Sequence, residues 1–270
     1  MLKLYTARNS ICTQKVFITL HEKGLEWEEV IIDLFRNEQY SSAYLAINPK
    51  GVVPSLMHEG AAINESTLIC EYLDEAFPQP RLRPEKAADR ARMRIWSKFI
   101  DEGIFEATRE ISFSAMFRQK MRDMTEEQRE GRFRNVGNPE KRARFVSTYE
   151  EGVESPYVLY GIAHFEKMFA AMEKDLADGR DWLVANAFSL ADINLTPFVA
   201  RIEKLDLLDV WTAECPHVLR WWARAKMRPS YEKAIESRLT PEENAAMRKF
   251  GGALRQRIGE RRQEYLAAFA

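Results

Sequence analysis

The sequence predicts an α+β protein in which a βαβ-ββα unit is followed by an all-helical region. Three observations predict it. Short apolar runs alternate with helical periodicity over residues 1–80, two prolines interrupt the pattern at 79–84, and helical spacing dominates afterwards. We therefore expect a first domain at 1–80, a linker at 81–84 and an all-helical domain at 85–270 with a helical tail.

The first three elements predict a strand, a helix and a second strand. Residues 2–5 form a short apolar run, apolar residues from Val16 to Leu20 recur at helical spacing, and Gly24 suits a helix end. Residues 27–33 then resemble another strand. A helix between two such strands is the length of a right-handed parallel βαβ unit.

The next segment predicts a hairpin and a helix. After an irregular polar stretch at 35–48, Pro54 stands at the entry of a strand and the Glu59-Gly60 pair marks a tight turn. Helical spacing resumes from 66 to 77. This completes the βαβ-ββα order.

The remainder of the chain predicts helices. Apolar residues recur through 86–117 and again through 157–176, and an amphipathic, Arg-rich tail starts at Thr240. The stretch from Arg118 to Arg144 carries nine Lys and Arg against five Asp and Glu, which is typical of a solvated helix and loop.

A folding signal opens the helix after residue 189. Ser189 at the N-cap can bond the amide of Asp192, whose carboxylate can reach back to the cap. Phe188 and Ile193 occupy the positions of a hydrophobic staple. The pattern predicts a helix start and carries no chemistry.

Composition argues against several classes of partner. The net charge is −1 and the pI about 6.5, although residues 1–80 carry 6 Lys and Arg against 11 Asp and Glu. We therefore expect neither nucleic acid nor a membrane as partner, and a cytoplasmic location. Three widely spaced cysteines and four scattered histidines predict reduced thiols and no metal site.

Four motifs in sequence order resemble the cytosolic glutathione transferase superfamily over nearly the whole chain. They are Ser10-Ile11-Cys12-Thr13-Gln14-Lys15-Val16, Asn48-Pro49-Lys50-Gly51-Val52-Val53-Pro54, Glu65-Ser66-Thr67-Leu68-Ile69-Cys70-Glu71-Tyr72-Leu73 and Phe188-Ser189-Leu190-Ala191-Asp192-Ile193. The resemblance implies a thioredoxin-like amino-terminal domain that binds glutathione as co-substrate. It also implies a helical domain that holds a second, largely aromatic substrate.

The resemblance further implies a clamp on the tripeptide. A cis bond before Pro54 would turn the Val53 backbone towards the cysteinyl unit, Ser66 would bind the γ-glutamyl carboxylate, and Glu65 would hold the amino group. Lys50 resembles the cation for the glycyl carboxylate. The alternatives are a trans proline, an ordinary N-cap at Ser66 and a solvated turn lysine.

The loop before the first helix is where the resemblance places thiolate activation. A thiol is mostly protonated at pH 7, so the enzyme must stabilise the thiolate. Alignment with serine-type transferases selects Ser10, whereas alignment with bacterial β-aryl etherases selects Cys12 and Thr13, with Asn9 close by. Cys12 could instead form a mixed disulfide with glutathione, as in a thiol transferase.

Within the superfamily, the chain is most similar to the bacterial glutathione-dependent β-aryl etherases of lignin breakdown. Residues 20–26 and 93–102 and the long region at 110–160 carry this resemblance. It implies attack of the thiolate on a carbon beside a ketone, with release of a phenol. The candidates for lining an apolar aromatic pocket, with burial in the core as the alternative, are Phe105, Phe113, Phe117 and Tyr149.

Two other functions stay open at this point. One is a general detoxifying glutathione transferase or peroxidase. The other is a weakly active binding subunit of a heterodimer. The superfamily resemblance also implies a dimer, either of identical chains or with a paralogue.

Overall fold

The computed structural model describes the backbone of residues 1–269 and the side chains of residues 1–268. Four strands form one mixed sheet in the order β2-β1-β3-β4. Their bounds are Leu2–Thr6 (β1), Trp27–Ile31 (β2), Ser55–His58 (β3) and Ala61–Asn64 (β4). β1 pairs with β2 in parallel and with β3 antiparallel, and β3 pairs antiparallel with β4.

Two helices complete the predicted βαβ-ββα order. They are α1 (Ile11–Glu22) between the parallel strands and α3 (Ser66–Ala76) after the hairpin. Their apolar side chains, such as Val16, Leu20 and Leu73, are fully buried. Burial of these faces against each other and the sheet drives the packing of the unit. The predicted α+β class is confirmed.

The stretch at 35–48 is more regular than its polar sequence indicates. It holds a 3₁₀ turn at Glu38–Tyr40 and a short helix α2 (Ser42–Leu45), capped by the Ser41 side chain. This regularity depends on tertiary contacts. Tyr44 is buried, and its hydroxyl donates a hydrogen bond to the Val52 carbonyl, outside the short helix. Such contacts are invisible to periodicity.

Helices make up the rest of the described chain. Those before residue 180 are α4 (Ala87–Phe99), α5 (Phe105–Ser112), α6 (Arg118–Arg122), α7 (Glu126–Arg134), α8 (Pro139–Glu150) and α9 (Pro156–Asp175). Those after it are α10 (Leu190–Lys204), α11 (Asp209–Thr212), α12 (Pro216–Lys226), α13 (Pro229–Ala234), α14 (Pro241–Gly252) and α15 (Arg255–Phe269). Within residues 1–269, no helix is long and apolar enough to cross a membrane.

Two π-helical turns divide the long periodic segment at 86–117. They lie at Ile100–Ile104 and Phe113–Phe117, on either side of α5. The first turn holds Gly103, where an added Cβ would clash with Cδ2 of His164. A π turn widens the helix by one residue and changes the direction of the side chains after it. The absence of a side chain at Gly103 leaves room for the imidazole.

The predicted folding signal at Ser189 is present with one difference. Asp192 Oδ2 accepts from the Ser189 amide at 3.0 Å, whereas Ser189 Oγ accepts from the Ala191 amide at 3.3 Å. Asp192 Oδ1 also accepts from the indole Nε1 of Trp221 at 2.8 Å. The carboxylate therefore joins two helices as well as starting one.

The described chain forms two compact units. The first comprises Met1–Ser97, Arg180–Pro197 and Arg220–Thr240, and contains the sheet. The second comprises Lys98–Gly179, Phe198–Leu219 and Pro241–Ala270, and is helical. Segments from late in the sequence thus belong to the sheet-containing unit. The division at 81–84 stays a prediction.

Candidate functional site

Three polar segments of the first unit meet at one edge of its sheet. Tyr5, near the end of β1, is paired with Ser55 at the start of β3, and Ser55 is paired with Asn64 at the end of β4. The loop at 7–10 follows β1, the Val53-Pro54 step precedes β3, and Glu65 follows β4. Every sequence-predicted glutathione residue except Lys50 therefore comes directly from this edge or from the helix starts beside it.

The loop at 7–10 ends in Ser10, which caps α1. Its backbone is extended (φ −84°, ψ 116°) and its Oγ accepts a hydrogen bond from the Thr13 amide at 3.3 Å. Ser10 and its neighbour Asn9 are half-buried. Because Oγ already serves as an acceptor, its O–H is left to donate to a group in front of the loop.

The other two thiolate candidates lie in the first turn of α1. Cys12 is half-buried, and none of the three cysteines, all of them described, is in a disulfide. Thr13 is fully buried, and its Oγ1 has no hydrogen-bond partner in the described structure. Ser10 and Thr13 are thus in contact, but only the Ser10 hydroxyl is partly exposed.

The turn before β3 has a cis peptide bond between Val53 and Pro54, as the family resemblance implies. Val53 is half-buried and Pro54 buried. Two buried side chains hold this turn by bonding the Val52 carbonyl: the Tyr44 hydroxyl at 2.7 Å and the Asn48 amide at 2.9 Å. The same two groups lie within 3.1 Å of Ser55 Oγ.

The start of α3 combines an unusual backbone with an uncapped end. Glu65, its N-cap residue, has φ 71° and ψ 111° and makes no side-chain capping bond in the described structure. A non-glycine residue held in this region marks a functional constraint more often than chance. Ser66 is buried at the first position of α3, the end at which a helix favours an anion.

Lys50 and Glu65 are bonded to each other. Their Nζ and Oε1 atoms are 2.6 Å apart, and the two side chains are 71% and 50% exposed. The structure thus brings together two residues that the resemblance assigns to opposite ends of the tripeptide. Sequence reasoning did not foresee this pair.

Sequence reasoning also missed Lys15, Tyr44 and Ser55 as parts of this region. Lys15 is buried, and its Nζ donates to Thr67 Oγ1 at 3.0 Å. A lysine among the apolar residues of a buried helix is unusual, and this feature of the sequence could have indicated Lys15. Tyr44 offered no such signal, because its role depends on contacts with the Pro54 turn.

The four aromatic candidates lie in the second unit, where two of them pack against other rings. Phe113 is buried against Phe145, with ring centroids 5.5 Å apart. Tyr149 is half-buried, 5.8 Å from the ring of Phe133. Phe105 begins α5 and Phe117 ends the second π turn, and both are half-buried. Their role in lining a substrate pocket stays a prediction.

A buried charge cluster adjoins the ring of Phe145. Glu110 accepts from Arg144 at 2.7 Å, and the guanidinium of Arg109 lies 4.5 Å from the Phe145 centroid. Burial raises the pKa of Glu110 to about 7 against the opposing effect of the two arginines. Among residues 1–269, no group of three His, Cys, Asp or Glu side chains is arranged to hold a metal.

Comparison with known proteins identifies the family. Residues 4–81 match the glutathione S-transferase amino-terminal domain and residues 126–224 match the glutathione S-transferase carboxy-terminal domain. The chain belongs to the glutathione S-transferase family, and the thioredoxin-like and helical domains that the sequence predicts are those of this family. Glutathione as a substrate fits this membership.

One relative, compared by sequence and by structure, gives more detail. The protein LigF of Sphingobium sp. strain SYK-6 is 35% identical over 71% of this chain and 75% of its own length. The crystal structure of the beta-etherase LigF from the same strain has a TM-score of 0.76 and 31% identity, covering 87% of this chain and 99% of that one.

Two relatives of lower sequence identity also match most of this chain. Maleylacetoacetate isomerase of Pseudomonas aeruginosa is 27% identical over 86% of this chain and 95% of its own. Glutathione transferase F7 of Populus trichocarpa has a TM-score of 0.68 and 26% identity over 89% of this chain and all of that one.

Proposed function

We propose that this protein is a glutathione-dependent β-aryl etherase acting on aromatic ketones of the kind that lignin releases. Its similarity to LigF supports the reaction class. One observation carries the proposal. Three features lie at the same edge of the sheet: the half-buried Ser10, the Val53-Pro54 turn and the start of α3, which has no side-chain cap. These are the parts that a thiol tripeptide requires.

In the proposed binding mode, glutathione extends along this edge. The Val53 backbone pairs with the cysteinyl unit, and the Ser66 hydroxyl and first amides of α3 hold the γ-glutamyl carboxylate. Glu65 accepts from the γ-glutamyl amino group, and Asn9 adds a polar contact from the loop. Lys50 leaves Glu65 and pairs with the glycyl carboxylate.

Ser10 is the proposed donor to the glutathione thiolate. Its oxygen is already bonded to the Thr13 amide, so its proton is available to the sulfur. A hydrogen bond to a charged acceptor is worth about 1.5 to 3 kcal/mol, which corresponds to one or two units of thiol pKa. Cys12 and Thr13 are the alternatives, and Thr13 would need to expose a hydroxyl that is fully buried.

The proposed chemistry is a displacement at carbon. The thiolate attacks the carbon that bears the aryloxide, a C–S bond forms, and the C–O bond breaks with its electron pair passing to the leaving oxygen. The aryloxide then takes a proton to give a phenol, and glutathione remains as a thioether. Because the adjacent ketone activates the carbon, the enzyme mainly has to orient the reactants and stabilise the thiolate.

Aromatic residues of the second unit are the proposed contacts for the aryl groups. The residues proposed to line the aromatic pocket are Phe105, Phe113, Phe117 and Tyr149. Arg129 lies over the ring of Tyr149, at 5.3 Å from its centroid. Packing of aryl groups against such rings supplies binding energy with defined geometry.

The experiment that tests the function is product analysis after incubation of the protein with glutathione and each enantiomer of a model β-aryl ether ketone. Release of phenol together with a glutathione thioether supports the proposal and reports stereochemical preference. Activity on chlorodinitrobenzene or hydroperoxides with none on either ketone would instead identify a general detoxifying transferase.

We also propose a dimer of two identical chains, acting in the cytoplasm. Leu68 on α3 and Ile95 on α4 are 56% and 60% exposed, and both stand beside the ion pair between Glu71 and Arg94. Exposed apolar side chains around such a pair favour a second copy. A monomer by light scattering, or a dimer only with a paralogue, would contradict this part.

A further inference from the structure

Lys15 is a buried cation beside the proposed γ-glutamyl subsite. The residue is 1% exposed, and its Nζ donates to Thr67 Oγ1 at 3.0 Å. Thr67 lies in the first turn of α3, directly after Ser66, and is itself buried. The lysine therefore connects the second turn of α1 to the turn of α3 that would receive the carboxylate.

The charge on Lys15 acts in a protected environment. Electrostatic interactions between groups removed from water are screened far less than those at the surface. The nearby Cys70 shows this environment, since burial raises the pKa of its thiol to about 11 while Lys15 acts in the opposite direction. By contrast, Lys50 is 71% exposed, so its effect on an anion is weakened by solvent and salt.

We propose that Lys15 is a positioning residue of the glutathione site, which holds the first turn of α3 through Thr67 and supplies a fixed positive charge for the γ-glutamyl carboxylate. The inference rests on the function proposed above and extends it to a residue that need not touch the ligand. A helix start alone favours an anion modestly, and a buried ammonium behind it adds to the same potential. The alternative is that the bond between Lys15 and Thr67 only joins two helices.

The test compares two ligands on three full-length proteins by calorimetry. The ligands are glutathione and γ-aminobutyryl-cysteinyl-glycine, which lacks only the γ-glutamyl carboxylate. The proteins are wild type, Lys15→Met and Lys15→Arg. We expect Lys15→Met to weaken glutathione binding about tenfold and analogue binding less than about twofold, because the lost charge acts on the missing group. Lys15→Arg should recover most of the affinity.

A purely structural role would weaken both ligands equally, and that result would overturn the inference. Should Lys15→Met not fold, Lys15→Gln provides the second variant, because it removes the positive charge and keeps an N–H group that can donate to Thr67 Oγ1. A loss selective for glutathione supports the inference and equal losses overturn it. Wild-type protein that binds neither ligand would instead refute the proposed function itself.

Discussion

Lys50 Nζ lies 2.6 Å from Glu65 Oε1, so two residues that we assign to opposite ends of glutathione are paired with each other. An extended tripeptide spans about 10 Å, too far for both assignments to hold while the pair stays closed. The pair is exposed, and exposed pairs contribute only about 0 to 1 kcal/mol. Ligand binding can therefore separate it at little cost.

Lys50→Met should weaken glutathione binding several-fold at low salt, because the glycyl carboxylate loses its cation. The difference from wild type should shrink in about 1 M salt, where exposed charges are screened. Lys3→Met is the control, because Lys3 also forms an exposed ion pair, with Glu28 on the sheet at 2.7 Å. Equal affinities of Lys50→Met and Lys3→Met would remove Lys50 from the site.

Ser10→Gly should separate the two roles of this serine. Glycine at an N-cap costs only roughly a few tenths of a kcal/mol and carries no side-chain donor, whereas Ser10→Ala should lose about 0.5 to 2 kcal/mol. Both variants lack the hydroxyl. Both should therefore raise the pKa of bound glutathione by about one to two units, measured by the ultraviolet absorbance of the thiolate.

The discriminating variant is Thr13→Val, which removes a buried hydroxyl that has no partner in the described structure. Removal of such a group should leave stability unchanged or increase it by about 1 kcal/mol. A raised thiol pKa in Thr13→Val with a normal one in Ser10→Gly would transfer the donor role to Thr13.

Much of this site could be predicted from local sequence. The strand and helix order follows from periodicity, and the cap at Ser10 and the start of α3 follow from residue types next to helix starts. The bonds from Lys50 to Glu65 and from Lys15 to Thr67 could not, because they join residues 15 and 52 positions apart. Such pairs depend on how the hairpin and α3 are placed against α1.

Glu110→Gln should change how stability depends on pH. Because the pKa of Glu110 is raised to about 7 by burial, the folded protein holds this proton more tightly than the unfolded chain, where the pKa is about 4.3. Its contribution to stability is thus greatest below about pH 4 and is lost as the pH rises through about 7. Glutamine has no proton to lose.

Urea unfolding at about pH 5 and about pH 8 measures this effect. Between these pH values, the free energy of unfolding of wild type should fall by up to about 3 kcal/mol more than that of Glu110→Gln. Glu140→Gln is the control, since Glu140 also bonds Arg144, at 3.2 Å, but is 73% exposed. If the free energy of unfolding changed with pH equally in Glu110→Gln and wild type, Arg144 and Arg109 would be keeping Glu110 ionised in the folded protein.

Gly103, in the first π turn, lies against the imidazole of His164. A methyl group at 103 would clash with Cδ2 of the imidazole, and that ring is held by a 2.7 Å hydrogen bond between Nδ1 and the Tyr160 carbonyl. Gly103→Ala must therefore displace the ring or shift the backbone, and should destabilise the protein by about 1 to 3 kcal/mol. The clash, rather than the conformational freedom of glycine, is the cause, because α-helical and π-helical backbones suit alanine.

This cause makes the two positions interdependent, which a double-mutant cycle can measure. His164→Ala removes the ring. The double variant should therefore be more stable than Gly103→Ala alone, with a coupling energy between the two positions of at least about 1 kcal/mol. Gly131→Ala is the control for helix propensity, because a Cβ at Gly131 in α7 meets no atom within 4 Å and should stabilise the helix by about 0.5 to 1 kcal/mol. If the Gly103 and His164 effects were simply additive, a clash with the imidazole would not be the cause of the Gly103→Ala destabilisation.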